Sequence, residues 1–193
     1  MKVLLINGSR RDDGCTYTAL SEIAKELNAR NIDTEIYNAG SMVLKGQVND
    51  AVREVKEKLG QIDGIVIGSP VYYASPSGEI MMFLDRLFGA AEAELRFKPA
   101  ATIASARRAG TTATLDVLNK YFLYAEMPLV ASRYWNMVHG SKPEDVAKDQ
   151  EGIQIMQKLG KNMAWVLESI EAGKKSGVNQ PESEERIFTN FIR

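Results

Sequence analysis

Glycine, hydroxyl and arginine residues are concentrated in one segment near the start of the chain. Residues 8–16 read Gly-Ser-Arg-Arg-Asp-Asp-Gly-Cys-Thr and lie between an apolar run and a helix-like repeat. Backbone N–H groups at a helix N-terminus carry partial positive charge, and hydroxyl and guanidinium groups donate hydrogen bonds to oxyanions. The segment therefore predicts a site for a phosphate monoester, provided that Asp12 and Asp13 face solvent. A simpler alternative is that Thr16 only caps the helix that follows.

Other phosphate-binding motifs do not match these residues. A P-loop NTPase has four residues between its glycines and a Lys before the hydroxyl residue, whereas five residues separate Gly8 from Gly14 and no Lys precedes Thr16. The Gly-x-Gly-x-x-Gly motif of a tightly bound dinucleotide is absent. A response regulator would have acidic residues after its first and third strands, where Asn7 and Ser69 stand.

Two further loops carry residues suited to a planar ring and its polar edge. Residues 69–78 read Ser-Pro-Val-Tyr-Tyr-Ala-Ser-Pro-Ser-Gly, in which two prolines stiffen the backbone and two tyrosines offer flat faces. One of these tyrosines could equally be a core residue. Residues 105–112, Ser-Ala-Arg-Arg-Ala-Gly-Thr-Thr, offer donors that could face the edge of a flavin where reduction places negative charge. Adjacent arginines are also common on a solvated surface.

These loops follow predicted strands of a parallel sheet. The apolar run at residues 3–6 predicts a strand buried on both faces, and Leu20, Ile23 and Leu27 recur after it at helical spacing. The alternation continues through strands at 34–37, 62–67, 100–104 and 129–131, and through helices at 51–59, 77–89, 111–125 and 149–171. Such alternation predicts a parallel sheet covered by helices, whose ligands bind beyond the C-terminal strand ends. The loops should therefore share one site.

The chain has 193 residues, which predicts one domain at 1–173 and a tail at 174–193. The tail is polar except for apolar pairs at 187–188 and 191–192, which we expect to dock on the domain or on a partner subunit. Apolar residues cover more of the helix at 77–89 than one sheet face can bury. That excess predicts a homodimer or homotetramer.

Charge and composition exclude several classes of partner. Lys and Arg total 24 against 25 for Asp and Glu, so we expect no nucleic acid and no anionic membrane as partner. The apolar runs are too short to span a bilayer. The N-terminus leads into a strand rather than a signal peptide, and a single Cys15 cannot form an internal disulfide. We therefore expect a cytoplasmic protein.

Taken together, the loops resemble those of NAD(P)H-dependent FMN reductases, multimeric flavodoxins and iron-sulfur flavoproteins, which form a flavodoxin-like family. The first loop of that family is similar to Gly-Ser-Pro-Arg-x-x-Gly-Asn-Thr, and this chain has Arg10 in place of Pro and Cys15 in place of Asn. The second is similar to Pro-Val-Tyr-x-x-x-x-Ser-Gly followed by Phe-Leu-Asp-Arg, matched at 70–72, 77–78 and 83–86. The resemblance covers roughly residues 2–173.

The resemblance implies a flavodoxin-like three-layer α/β sandwich with a five-stranded parallel sheet, FMN as bound cofactor and NAD(P)H as transient co-substrate. It implies the following cofactor-binding residues: Ser9, Arg11, Gly14, Cys15, Thr16, Pro70, Val71, Tyr72, Tyr73, Ser105, Arg107, Arg108 and Gly110. Iron-sulfur relatives carry a cysteine cluster after the second strand, where residues 40–46 contain no cysteine. We therefore expect no metal site.

The expected reaction passes electrons from NAD(P)H through FMN to a small acceptor such as a quinone, an azo compound or a flavin. Because the flavin supplies that chemistry, no catalytic side chain is required. His139, in a long connection at 133–148, is expected to be a structural or lid residue, and Tyr134 to Asn136 to border the cleft. The alternative is a non-catalytic flavodoxin-type electron carrier or a flavin-binding redox sensor, although a near-neutral chain lacks the one-signed charge that usually steers a carrier.

Overall fold

The computed structural model describes residues 1–182, 184–185 and 187–191, which form a sheet with helices on both faces. The strands are β1 (Lys2–Asn7), β2 (Asp33–Tyr37), β3 (Gly64–Tyr72), β4 (Ser75–Pro76), β5 (Ala100–Ala106) and β6 (Met137–His139). The helices are α1 (Cys15–Asn28), α2 (Ala39–Leu44), α3 (Val48–Lys58), α4 (Gly78–Leu95), α5 (Thr111–Tyr124), α6 (Pro143–Val146) and α7 (Gln150–Lys175). A 3₁₀ turn covers Leu59–Gln61.

The strand order is β2-β1-β3-β5-β6, with all four pairings parallel. The short β4 pairs antiparallel with the end of β3 and lies off this path. The predicted five-stranded parallel sheet with helices on both faces is therefore confirmed. Because the central strands run in one direction, the segments that follow β1, β3 and β5 all lie at one edge of the sheet.

Alternating residues of the central strands build two separate cores. In β1, Leu4 and Ile6 pack with α2, α3, α4 and α5, whereas Val3 and Leu5 pack with α1 and α7. This alternation follows from the two-residue period of a strand, and it explains why β1 is apolar at consecutive positions. Each fully buried Leu or Ile contributes about 1.5 to 3 kcal/mol relative to an exposed one. The two cores support the sheet from both faces beneath the loops.

The fifth strand of the parallel sheet is not where the sequence predicts it. Leu129 forms only one bridge to Ala100, and the strand is instead β6, inside the predicted long connection. Between them the chain leaves the sheet, and the Asn136 side chain donates to the Thr102 carbonyl at 3.0 Å. Residues 128–130 bond only to Ala100 at the start of β5, whereas residues 137–139 pair continuously with its end. The prediction failed because the apolar run at 129–131 does not show where the chain leaves β5 and where it returns.

The second loop is more ordered than the sequence suggests. The predicted loop at 68–76 is the end of β3, a two-residue turn and β4, in which Val71 pairs with Pro76. Tyr73 and Ala74 form the turn with φ of 52° and 58°, in the left-handed region that hairpin turns of this length require. Tyr73 is consequently fully exposed at the tip.

Helix α4 finds its cover within the chain. It runs to Leu95, further than predicted, and α2 and α3 pack beside it in the same core, in which Phe83 and Leu87 are buried. Helix α2 was not predicted. Met82 remains half-exposed. The apolar excess of this helix therefore no longer argues for self-association by itself.

The last helix crosses the predicted domain boundary. Helix α7 continues to Lys175. Gly177, which has φ of 85°, turns the chain away from the helix axis, and the Val178 N–H donates to the Gly173 carbonyl. In the tail, Ile187, Phe188 and Phe191 are exposed, and Ile192 lies outside the described residues. Among the helices of the described chain, none is both long and apolar enough to cross a membrane.

Candidate functional site

A cleft of about 310 Å³ opens at the C-terminal ends of β1, β3 and β5. It is lined by Ser9, Arg11, Gly14, Cys15, Thr16, Pro70, Val71, Tyr72, Ser105, Ala106, Arg107, Gly140 and Ser141. The residues predicted from the three loops therefore come together, except Tyr73, Arg108 and Gly110. The only charged side chains in this lining are Arg11 and Arg107, so the cleft has a positive lining in a chain with a net charge of -1.

The shape of the first loop is set by the buried Asn7 at the end of β1. Its Oδ1 accepts from the Ser9 N–H at 3.0 Å, and its Nδ2 donates to the Arg11 carbonyl at 3.1 Å. The Ser9 hydroxyl oxygen accepts from the Arg11 N–H at 3.1 Å, which leaves the hydroxyl hydrogen of Ser9 available. A Cβ at Gly40 would lie 2.3 Å from the Ser9 carbonyl oxygen, so α2 supports the loop from behind.

The N-terminus of α1 lacks a protein cap. Gly14 occupies the N-cap position, no side chain accepts from the first turn, and that turn contains no acidic residue. By contrast, Ser77 caps α4 by accepting from the Ile80 N–H at 3.2 Å. Asp12 and Asp13 are exposed and do not line the cleft. The partial positive charge of α1 is therefore directed at the cleft without a side-chain cap, and the carboxylates of Glu144 and Asp145 in α6 act on Cys15 from outside the cleft lining.

Thr16 is not the N-cap residue, so the simpler alternative for the first loop is wrong. Its side chain is buried, and its Oγ1 lies 2.8 Å from the Ser105 Oγ. Either hydroxyl can donate in this pair, and the other keeps a free hydrogen. The contact joins the first loop to the end of β5 across the floor of the cleft.

The second loop supplies one wall of the cleft. Pro70, Val71 and Tyr72 line it, and the Arg10 guanidinium lies 5.4 Å from the centroid of the Tyr72 ring. Arg10 Nε also donates to Glu79 Oε1 at 2.7 Å. The Arg that replaces the Pro of the family motif thus packs on the outer side of this wall through a cation–π contact. Tyr73 points away from the cleft, at the tip of the hairpin.

The third loop reaches the cleft only through its first residues. Ser105, Ala106 and Arg107 line the cleft, whereas Arg108 and Gly110 do not. Gly110 has φ of 95°, and a Cβ there would lie 2.7 Å from the Ala74 Cα. The glycine therefore allows α5 to begin against the hairpin, which is a structural role rather than a contact with the cleft.

Cys15 is half-buried at the edge of the cleft. Its Sγ donates to the Gly140 carbonyl at 3.6 Å, and burial raises the pKa of the thiol above its usual value. The thiol is therefore protonated at neutral pH, and a reactive thiolate is disfavoured. Gly140 and Ser141 also line the cleft and were not anticipated, because the strand that precedes them was placed at 129–131.

Tyr134, Trp135 and Asn136 do not border this cleft, contrary to expectation. They line a separate cavity of about 260 Å³ beside β5 and α5, together with Thr102 and Asn119. Their displacement follows from the break in the fifth strand, because residues 131–135 leave β5 between the hydrogen bonds that Val130 and Asn136 make to it. Tyr134 and Trp135 contact each other edge to face at 4.5 Å.

Comparison with known proteins identifies the family. Residues 1–142 match the family described as NADPH-dependent FMN reductase. The chain belongs to this family. The FMN reductase family consists of flavodoxin-like oxidoreductases, so the predicted family and the class of oxidoreductase are confirmed.

Relatives agree with the FMN reductase family along most of the chain. Two iron-sulfur flavoproteins of Methanocaldococcus jannaschii are 27% and 25% identical to it, over 88% and 82% of this chain and 99% and 92% of theirs. The flavoenzyme NAD(P)H:(acceptor) oxidoreductase FerB of Paracoccus denitrificans has a TM-score of 0.67 at 16% identity, covering 87% of this chain and 97% of FerB. A flavodoxin, WrbA-like protein of Agrobacterium tumefaciens has a TM-score of 0.63 at 15% identity, covering 87% and 97%. These structural likenesses show the fold.

The hydrogen-bond donors that line the cleft of this chain are of the kind that FMN requires. The uncapped N-terminus of α1, the Ser9 hydroxyl and Arg11 form one group of donors that suits a dianionic phosphate. Pro70, Val71 and Tyr72 offer an apolar wall for the ring system. The cysteine ligands of an iron-sulfur centre are not available, because the sequence has one cysteine.

Proposed function

We propose that this protein is an FMN-dependent oxidoreductase that takes electrons from NAD(P)H and passes them to a small acceptor such as a quinone, an azo compound or a flavin. The observation that carries the proposal is the cleft at the uncapped end of α1, whose charged lining residues are both arginines. When bound, the flavin supplies the redox chemistry. The chain itself binds and orients the reactants.

Each wall of the cleft would have its own role in holding FMN. Ser9, Arg11 and the backbone N–H groups of residues 14–16 would hold the phosphate. Residues 70–72 would lie against the ring. Arg107 would supply a cation to the edge of the ring that becomes negative on reduction.

No side chain of the cleft needs to act as acid, base or nucleophile in this proposal. Cys15 is protonated and hydrogen-bonded to a carbonyl, and His139 is not among the lining residues. The cleft remains open beside Tyr72, which is 40% exposed, so NAD(P)H and the acceptor can use the same opening in turn. The proposal also places the protein in the cytoplasm, where reduced nicotinamide and a free cysteine are both expected.

The deciding experiment is anaerobic reduction of the purified protein. We expect a yellow protein that retains FMN rather than FAD. NADH or NADPH should bleach its flavin absorbance in a single turnover without any acceptor, and steady-state turnover should be ping-pong. Dithionite is the control, because it shows whether the bound flavin can be reduced without a nicotinamide.

The same experiment separates the two classes of function. Bound FMN that stays oxidised in excess NADH and NADPH, yet is reduced by dithionite, would refute the reductase proposal. It would favour the electron carrier or the redox sensor.

A further inference from the structure

The third loop leaves the sheet with two arginines that have no ion-pair partner among the described residues. Arg107, Arg108 and Ala109 are exposed between β5 and α5. Of the two arginines, only Arg107 lines the cleft. Long side chains without partners have many rotamers, so the direction of Arg107 depends on how the backbone of the loop is held.

A side chain from β6 holds that backbone. His139 Nε2 lies 3.1 Å from the Arg108 carbonyl oxygen. A carbonyl oxygen only accepts, so Nε2 carries the hydrogen in this contact. His139 is the last residue of β6 and pairs with Ala106 of β5, which places its ring beside the first residues of the loop.

His139 is itself fixed by the start of α7. Its backbone N–H donates to Asp149 Oδ2 at 2.7 Å, and its Nδ1 lies 3.8 Å from the same oxygen. Asp149 Oδ1 accepts from the Gly152 N–H at 2.9 Å and thereby caps α7. The chain of contacts therefore runs from a helix of 26 residues through one carboxylate and one imidazole to the loop.

We propose that His139 is a positioning residue that holds the Arg108 carbonyl and thereby directs Arg107 into the cleft. The holding of the loop is independent of what the cleft binds. The consequence for Arg107 and the flavin rests on the proposed function.

Limited trypsin digestion tests the holding of the loop, because trypsin cuts after Arg and requires local opening of the backbone. In His139→Ala, cleavage after Arg107 and Arg108 should be about 3- to 10-fold faster, as expected for the loss of one hydrogen bond. His139→Gln retains an N–H donor and should stay within about twofold of the wild type. Lys148→Ala is the matched control, since its side chain is exposed and makes no hydrogen bond or ion pair with the loop.

Three digestion results would overturn the proposal. The first is wild-type resistance of His139→Ala at Arg107 and Arg108, and the second is a His139→Gln variant that is cut as fast as His139→Ala. The third is an equal acceleration after Lys56 in α3, because it would show general loosening rather than release of the loop. Peptide masses identify each cut.

Flavin binding tests the consequence for Arg107. His139→Ala should weaken binding of reduced FMN by about 3- to 10-fold and change binding of oxidised FMN by less than about twofold, because a displaced cation matters most for the more negative form. Arg107→Ala should do the same, and the double variant should match Arg107→Ala alone, since His139 acts through Arg107. Additive losses in the double variant would contradict this coupling. A wild type that binds no FMN would instead refute the proposed function and leave the digestion result standing.

Discussion

Two hydroxyl groups on the cleft floor differ in what they can offer a ligand. The Ser9 hydroxyl accepts from the Arg11 N–H and keeps its own hydrogen free, whereas Thr16 shares a hydrogen bond with Ser105. Both side chains are buried at the cleft floor, so each would replace water around a bound phosphate. The loss of ligand affinity expected on substitution therefore depends on which hydroxyl hydrogen is free to donate.

We predict that Ser9→Ala weakens FMN binding by about 1 to 3 kcal/mol, the usual contribution of a hydrogen bond to a charged group. Thr16→Ala should have an effect in the same range, and also removes the contact to Ser105. Fluorescence titration of the apoprotein measures both, with Ser21→Ala on the exposed side of α1 as control. Unchanged affinity in both cleft variants would rule out the phosphate site.

We predict that Cys15 reacts slowly with iodoacetamide at neutral pH. Burial raises the pKa of its thiol, so the thiolate should appear only above the usual value of about 8.5. The alkylation rate measured against pH should therefore rise later than that of a model thiol, and FMN should slow it further because Cys15 lines the cleft. Alkylation at the pace of a free thiol at pH 8, with no protection by FMN, would contradict both statements.

At the scale of the elements, the four longest helices differ in how their N-termini are capped. Helices α4 and α7 carry side-chain caps and an acidic residue in the first turn. Helices α1 and α5 begin with a glycine at the N-cap position, without a side-chain cap and without an acidic residue in the first turn. Only α1 contributes its first residues to the cleft lining. A missing cap costs stability, which an anion bound there would restore.

We predict that Gly14→Asp raises the stability of the apoprotein and lowers its affinity for FMN. The new carboxylate would cap α1 and raise the free energy of unfolding of the apoprotein by about 0.3 to 1 kcal/mol. It would also place a negative charge where the phosphate binds, so the affinity for FMN should fall by about tenfold or more. Urea denaturation and FMN titration measure the two effects.

Gly14→Ala is the control for Gly14→Asp, because its Cβ fills the same space without charge. A Cβ there meets Arg11 Cβ at 3.3 Å, so the methyl group itself is nearly accommodated. Equal losses of FMN affinity in both variants would show that bulk rather than charge is responsible.

At the scale of the whole molecule, two groups of exposed apolar side chains lie at the end of α5 and along the described part of the tail. Leu123 and Tyr124 are exposed at the end of α5, and Ile187, Phe188 and Phe191 are exposed along the tail. Helix α4, by contrast, is largely covered by α2 and α3. The prediction of a homodimer or homotetramer therefore now depends on the tail and the end of α5 rather than on α4.

We predict that sedimentation at micromolar concentration gives at least twice the chain mass of 21.4 kDa. Replacing Ile187 and Phe188 with Ser should shift the equilibrium towards the monomer, because these side chains are almost fully exposed in a single chain. Trp165→Ser, on the exposed side of α7, is the control for general loss of apolar surface. A monomeric wild type would refute the oligomer.

The sequence alone determined the parts of the protein that depend on local pattern. Apolar runs such as residues 3–6 indicated strands buried on both faces, and the spacing of Leu20, Ile23 and Leu27 indicated α1. The motif around Gly8 to Thr16 pointed to the family and to the loop that lines the cleft. These features are local, because the spacing of apolar residues and the composition of a loop are both visible within a few consecutive residues.

Only the tertiary structure decided the features that depend on distant partners. Met137 to His139 form the last parallel strand because β5 offers them free backbone groups, and this pairing brings Gly140 to the cleft. The same break moves Trp135 to a different cavity. The contact between Thr16 and Ser105 joins residues 89 positions apart. No local pattern encodes such contacts, since they exist only once the sheet has brought the strand ends together.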